Sequence, residues 1–396
     1  MSGSAPPDPT PRSAATGVAR RSAAVFQISH PHPHPPVVGR LAPSPTGALH
    51  LGNARSFLLA WLSIRQQQGQ LWLRIEDIDS PRVKPWAVQS TLEDLRWLGL
   101  DWDIGPQLSL SDSPSSSPEP SHHPQQMAQV DEASELQPAS GYVDTIQSRR
   151  LARYRQVLEQ LIAAGRVYPC TCSRSEVAQA ASAPHENSWT TLEGPIYPGT
   201  CRQRTADALA SRHSAAIDPS AVASAHSKFA WRWHFAAGEV AWQDGLHGNQ
   251  QAHPAEQLGD FVIAQADGTP AYQLAVVVDD HDMQVTEIVR GDDLIFSTYR
   301  QLAILQHLSW PAPHYLHVPL MLGPDGRRLA KRHGDTRLST YRQRGVSAEQ
   351  IVGYLAWTLG LQSHNTPLAA VELIGKLEWP NLSLQPTVVD SQQLGW

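Results

Sequence analysis

Arg40-Leu-Ala-Pro-Ser-Pro-Thr-Gly-Ala-Leu-His50-Leu-Gly52-Asn53 is the stretch on which the fold turns. An apolar run, Val37–Leu41, reads as a short strand. A turn stiffened by Pro43 and Pro45 follows, with Gly47 and Gly52 opening the backbone to close approach by a ligand. Leu51, Ala54, Leu58, Trp61 and Leu62 then recur at helical spacing, predicting a helix over 49–65. A helix N-terminus after such a turn offers free N–H groups and a partial positive charge, which suit phosphates. His50 and Asn53 stand where side-chain donors would meet phosphate oxygens. Read in isolation, the same residues also fit a proline-rich turn with a surface histidine.

Outward from this stretch the chain alternates strands and helices. Leu71–Ile75 reads as a strand. Leu151, Tyr154, Leu158, Leu161 and Ile162 form a helical stripe stopped by Gly165. Leu274–Val278, an apolar run bounded by Asp279 and Asp280, reads as a buried parallel strand that Tyr272 begins. Ser297 is placed to cap a helix through Leu308. Ser347 with Gln350 makes a capping box ahead of Ile351, Tyr354 and Leu355. Such alternation points to an α/β fold with a mostly parallel sheet.

Pro-Ser-Pro-Thr-Gly-x-Leu-His-x-Gly-Asn resembles the HIGH signature of class I aminoacyl-tRNA synthetases in its glutamyl form. The resemblance implies a Rossmann-like catalytic domain in which His50, Gly52 and Asn53 bind ATP. The family's second signature, Lys-Met-Ser-Lys-Ser, is matched by Gly326-Arg-Arg328-Leu-Ala330-Lys331-Arg-His-Gly-Asp335. Lys331 is the expected pyrophosphate ligand and, with His50, a catalytic residue. Arg328 stands for the first lysine and Ala330 for the serine. Arg74-Ile-Glu76-Asp77-Ile-Asp79 is similar to the glutamyl branch's acidic strand end, which implies that Glu76 holds an α-ammonium group. Tyr272 and Arg290, in Val289-Arg-Gly-Asp292-Asp293, match substrate-contacting positions. Arg290 is expected to select the side-chain carboxylate, because only a guanidinium offers a permanent bidentate charge. Pairing of Arg290 with Asp292 or Asp293 is the alternative. Arg40, Ala42 and Ser44 complete the glutamate site that the resemblance implies, with Mg²⁺ accompanying ATP.

Cys170, Cys172 and Cys201 are the chain's three cysteines and fall within 32 residues. Clustered thiols of this kind point to metal, and tetrahedral zinc needs a fourth ligand. His185 is one candidate. Tyr197, in Tyr-x-x-x-Cys201, is the other, and it matches a structural zinc site of a truncated glutamyl-like branch.

The chain has 396 residues, 41% hydrophobic, with a formal charge of −6. No apolar run approaches the ~18 residues of a membrane helix. Three segments are compositionally biased. Residues 1–36 hold eight Pro, residues 107–140 hold nine Ser and no Lys or Arg, and residues 206–227 are rich in Ala and Ser. They carry +2, −5 and −1, so most of the net acidity lies in them and a local basic groove for nucleic acid is not excluded. The expected organisation is a disordered tail (1–36) and a first catalytic half (37–166) with a disordered insertion (107–140). A zinc-bearing insertion (167–258, with the loop 206–227), a second half (259–335) and a short helical segment (336–396) follow.

Only 65 residues follow Lys331, too few for an anticodon-binding domain of ~100–150 residues. With this zinc pattern, that resembles the branch that activates glutamate without tRNA. That branch transfers it to queuosine, the modified wobble base in the anticodon loop of tRNA(Asp). Two alternatives remain. One is 3′-end charging with a separate anticodon-binding partner. The other is a non-catalytic paralogue that binds ATP or glutamate. A monomer in the cytoplasm is expected, with organelle transit by the tail as the alternative.

Overall fold

The computed structural model describes residues 24–25, 36–78, 82–106, 143–180, 195–203, 229–329 and 336–389. The expected disordered insertion 107–140, the loop 206–227, His185, Asp79, Ala330 and Lys331 lie outside the described residues. So does the tail 1–36, apart from residues 24, 25 and 36.

Strand β1 (Val38–Leu41) is buried at all four positions, as expected of a strand covered on both faces. Helix α1 (Leu51–Gln66) follows the loop and buries Leu51, Ala54, Leu58, Trp61 and Leu62. Strand β2 (Gln70–Leu73) returns parallel to β1, with Val38 opposite Gln70 and Leu41 opposite Leu73. Helix α2 (Pro85–Trp97) starts with proline in its first turn, where the missing N–H costs nothing. Helix α3 (Leu151–Ala163) buries Tyr154, Val157, Leu158 and Leu161, and Gly165 ends it at φ +65°.

A three-stranded antiparallel sheet joins β3 (Val167–Cys170), β4 (Ala230–Trp233) and β7 (Phe261–Gln265). Between β4 and β7, β5 (Val240–Asp244) and β6 (Gly248–Ala252) form a hairpin. This hairpin falls in the span read from the sequence as the insertion, yet β5 meets the main sheet at Tyr315–Asp244. A two-residue strand, Ala24–Val25, pairs along its start.

The second half supplies α4 (Tyr272–Asp282), β8 (Glu287–Gly291), α5 (Ile295–Leu308) and β9 (His314–Val318). Strands β8 and β9 pair in parallel over five residues. The Thr286 N–H donates to the Val38 carbonyl (2.8 Å), and Thr286 Oγ1 accepts from the Val38 N–H (2.9 Å). These bonds set β8 beside β1, so the order runs β2-β1-β8-β9-β5-β6. Neighbouring residues on one strand enter opposite cores. Leu71, Val289 and Leu316 pack with α1, whereas Trp72, Ile288 and Tyr315 pack with α3, α4 and α5. That is a sheet covered on both sides, with its order reversing at the β1/β8 boundary. Open sheets bind ligands beyond the strand ends at such a boundary.

Two local expectations fail. Leu274–Val278 is not a strand: it lies inside α4, which Tyr272 begins. Seven consecutive residues, Leu274 to Asp280, are buried, so the helix is enclosed all round and shows no amphipathic period. Ser297 is not a cap either. A 3₁₀ turn over Asp292–Leu294 starts the helical path early, and α5 begins at Ile295. The capping box at Ser347 forms as read, with Ser347 Oγ accepting from the Gln350 N–H (3.2 Å) and Gln350 Oε1 from the Ser347 N–H (2.8 Å).

Helices α6 (Leu338–Gln343) and α7 (Ala348–Thr358) pack onto the α1 side of the sheet. Beyond them, β10 (Met321–Leu322) pairs in parallel with β11 (Thr387–Val388). Arg55 of α1 pins this pair, donating to Thr387 Oγ1 (2.6 Å) and to the Pro319 carbonyl. Among the described residues no helix is long and apolar enough to cross a membrane.

Candidate active site

A cavity of about 490 Å³ opens at the β1/β8 boundary. Arg40, Ala42, Ser44, His50, Gly52, Asn53, Glu76, Tyr272 and Arg290, scattered over 250 positions of sequence, all line it. Its size is that of a small-molecule site. The proline turn that forms one wall is tied down on both sides: the Glu76 N–H donates to the Pro43 carbonyl (3.0 Å) and the Lys84 N–H to the Pro45 carbonyl (3.1 Å).

Arg40 and Arg290 stand on adjacent strands, each 6% exposed. Glu76 accepts from Arg74 Nη2 (3.0 Å), and Arg74 also pairs with Asp280 (2.6 Å). Asp280 lies 3.5 Å from Arg40 Nε. Burial pushes the Glu76 carboxyl upward, and Arg74 and Arg40 pull it back. The Tyr272 ring is 41% exposed, but its phenol is raised by burial and by the nearby Glu76 carboxylate. Arg290 donates from Nε to His317 Nε2 (3.0 Å) and from Nη2 to Thr298 Oγ1 (2.8 Å), while its Nη1 is buried with no hydrogen-bond partner. Pairing with Asp292 or Asp293 is not seen; Asp293 instead takes Arg328 at 2.6 Å. A buried guanidinium nitrogen without an acceptor, on a residue that lines a cavity, is costly unless a ligand acceptor meets it.

At the start of α1, Asn53 Oδ1 accepts from the His50 N–H (3.3 Å). Burial, with Arg328 nearby, lowers His50 to about 4, so its ring is neutral at pH 7, and its Nδ1 has no partner. Gly52 leaves room for this ring, since a Cβ there would come within 3.1 Å of it. Arg328, at one end of the expected lysine loop, lines the cavity, and beyond the other end the Thr336 carbonyl accepts from the Leu51 N–H (3.2 Å) at the start of α1.

The three cysteine Sγ atoms lie within 4.8 Å of one another. Tyr197 Oη is 3.4 Å from Cys170 Sγ and 3.7 Å from Cys172 Sγ, and it accepts from the Cys201 N–H at 2.8 Å. The Cys201 thiol is drawn down to about 6, chiefly by the Tyr197 hydroxyl against the opposing effect of burial. Three thiols and one phenolic oxygen are a donor set that suits four-coordinate zinc.

The profile for tRNA synthetases class I (E and Q), catalytic domain, matches residues 36–396. This chain belongs to that class I (E and Q) synthetase family. A glutamyl-Q tRNA(Asp) synthetase from Rhodopirellula baltica is 42% identical over 89% of this chain and 96% of its own length. One from Symbiobacterium thermophilum is 41% identical over 90% and 97%. A glutamate–tRNA ligase from Acidithiobacillus ferrooxidans is 38% identical, but the match spans only 60% of it. The solved glutamate–tRNA synthetase of Elizabethkingia anophelis shares the fold, with a TM-score of 0.64 at 21% identity over 91% of this chain. Within this synthetase fold, sequence reading missed the groups behind Arg290. Thr298, His317 and Asp244 belong to three separate elements, and no local pattern links them.

Proposed function

We propose that the chain activates L-glutamate with ATP, without tRNA, and transfers it to queuosine at the wobble position of tRNA(Asp). The observation that carries the amino-acid half is Arg290, a buried cation lining the cavity with its Nη1 left without a partner. The acceptor half rests on the near full-length match to the glutamyl-Q relatives.

In the first step the glutamate α-carboxylate attacks the α-phosphorus of ATP and pyrophosphate leaves. Arg290 holds the side-chain carboxylate, aided by Tyr272, while Glu76 holds the α-ammonium. Arg40, Ala42 and Ser44 line the wall between them. Holding both ends of the substrate converts an encounter into an oriented attack. The start of α1, His50, Gly52, Asn53 and Lys331 meet charge growing on the phosphates. His50 acts as a neutral donor. Mg²⁺ accompanying ATP would supply charge screening there. In the second step a hydroxyl of the queuosine ring attacks the carbonyl carbon of the glutamyl adenylate; the ester C–O bond forms, the acyl–phosphate bond breaks, AMP leaves, and the hydroxyl proton passes to solvent. Cys170, Cys172, Cys201 and Tyr197 would hold zinc as a structural ion, all four positions being protein atoms.

The test is glutamate-dependent ATP–pyrophosphate exchange without tRNA, then labelling of queuosine-containing tRNA(Asp) whose 3′ end is blocked by a terminal 2′,3′-dideoxyadenosine. Both should proceed. Labelling confined to an unblocked 3′ end would replace this reading with ordinary glutamyl-tRNA synthesis, and no exchange with any amino acid would replace it with a non-catalytic paralogue.

A further inference from the structure

Arg290 is held from behind by a buried chain whose other members do not line the cavity. Arg290 Nε–H donates to His317 Nε2 at 3.0 Å, so that nitrogen carries no proton. The ring proton therefore sits on Nδ1, which donates to Asp244 Oδ2 at 2.6 Å. The His317 and Asp244 side chains are wholly buried. Asp244 is itself fixed at the turn of the β5–β6 hairpin, where Oδ1 accepts from the Leu246 (2.9 Å) and His247 (2.8 Å) N–H groups. Thr298 of α5 holds the other side of the guanidinium at 2.8 Å. The Tyr315 ring lies 5.1 Å from its centre.

We propose that His317 and Asp244 are positioning residues for glutamate selection: a single imidazole tautomer, imposed by Asp244, orients Arg290 so that Nη1 faces the cavity. The inference rests on the reading of Arg290 as the carboxylate-binding group and adds what aims it. Two hydrogen bonds from different nitrogens fix the plane of a guanidinium, and with it the direction of the third. Were Nε2 to carry the proton, two donors would face each other and the arginine would swing away. A carboxylate that fixes a histidine tautomer for a partner beyond it is an arrangement known from catalytic sites. Here it serves binding. The element carrying Asp244 is the hairpin at the far edge of the sheet, 73 positions before His317, so that hairpin reaches substrate selection through two side chains.

The full-length protein is assayed by ATP–pyrophosphate exchange across a range of glutamate concentrations. Asp244→Asn is the central variant. Its amide keeps the shape and the turn acceptor but donates to Nδ1, forcing the proton onto Nε2. Glutamate KM should rise about tenfold or more, the scale of one misdirected charge-assisted hydrogen bond, with ATP KM unchanged. His317→Phe, which fills the ring's volume without an acceptor, should do the same. His317→Gln, which restores an acceptor to Arg290, should recover part of the loss. An unchanged glutamate KM in Asp244→Asn, or an equal rise in ATP KM, overturns the proposal while leaving the glutamate reading intact. Absence of exchange in the unaltered protein overturns both.

Discussion

Arg290→Met separates binding from stability more cleanly than any other change in this cavity. The methionine keeps most of the stem's volume and removes the charge. Arg290 is 6% exposed, so a substrate carboxylate docked on it is shielded from water, and deleting the cation leaves that carboxylate without a partner. Truncating one member of such a pair costs about 2–5 kcal/mol. At 1.36 kcal/mol per decade, kcat/KM for glutamate should fall roughly 30- to 5,000-fold. Stability should fall less than binding. Among the described residues Arg290 has no ion pair; its side-chain partners are His317 and Thr298, bonds from a charged donor worth about 1.5–3 kcal/mol each. Removing a buried cation that has no ion pair relieves its desolvation cost and offsets part of that loss. Tm should fall by no more than about 10 °C. Pyrophosphate exchange at varied glutamate and at varied ATP, with a thermal melt, measures all three quantities. A folded variant with unchanged glutamate kcat/KM would refute the reasoning, as would a loss shared equally by ATP.

Other predictions follow from the geometry. Burial holds His317 near 4, against 6.5 when unfolded, so the unfolded chain binds protons that the native one refuses. Its contribution to stability, up to about 3 kcal/mol, is therefore complete above pH 6.5 and is lost as pH falls toward 4. Asp94, pushed up to about 6 by burial, works the other way over this range, so the comparison must be between variants. The urea midpoint of His317→Gln should fall less steeply from pH 6.5 to 4.5 than that of the unaltered protein, and parallel profiles would count against it. Cys201→Ser should lower bound zinc from about one equivalent toward none by elemental analysis and cost several kcal/mol of stability. Metal-free unaltered protein would retire the zinc reading. Gly39→Ala places a Cβ 2.4 Å from Ile64 Cγ1, between β1 and α1, and should cost about 1–3 kcal/mol by overpacking. Pairing it with Ile64→Ala, which removes Cγ1 and Cδ1, should make the two losses less than additive in a denaturant melt, and full additivity would locate the strain elsewhere.

The strand–loop–helix unit around His50 was legible because its signals agree locally: an apolar strand, rigid prolines, and a helical period in α1. The cysteine cluster was legible from spacing alone, and its companion Tyr197 from resemblance. Helix α4 was not, because a helix enclosed on every side and a strand buried on both faces write the same short apolar run. Its own length was the missed arbiter, since eleven residues exceed an ordinary strand. The start of α5 was misread because a 3₁₀ turn needs no capping side chain. The support behind Arg290 was invisible for a different reason. Its members sit 27 and 73 positions apart, and only strand pairing brings them together.

The pairing of β10 with β11 has a practical consequence. Met321 lines the cavity, and the strand beside it carries Val388, which is 61% exposed. Arg55 binds Thr387 across 332 positions of sequence, tying that strand to the helix that begins at the phosphate end. A fluorophore attached at residue 388 would thus stand one strand away from the ligands without touching them. It would turn a stretch with no chemistry of its own into a window for watching the cavity fill and empty.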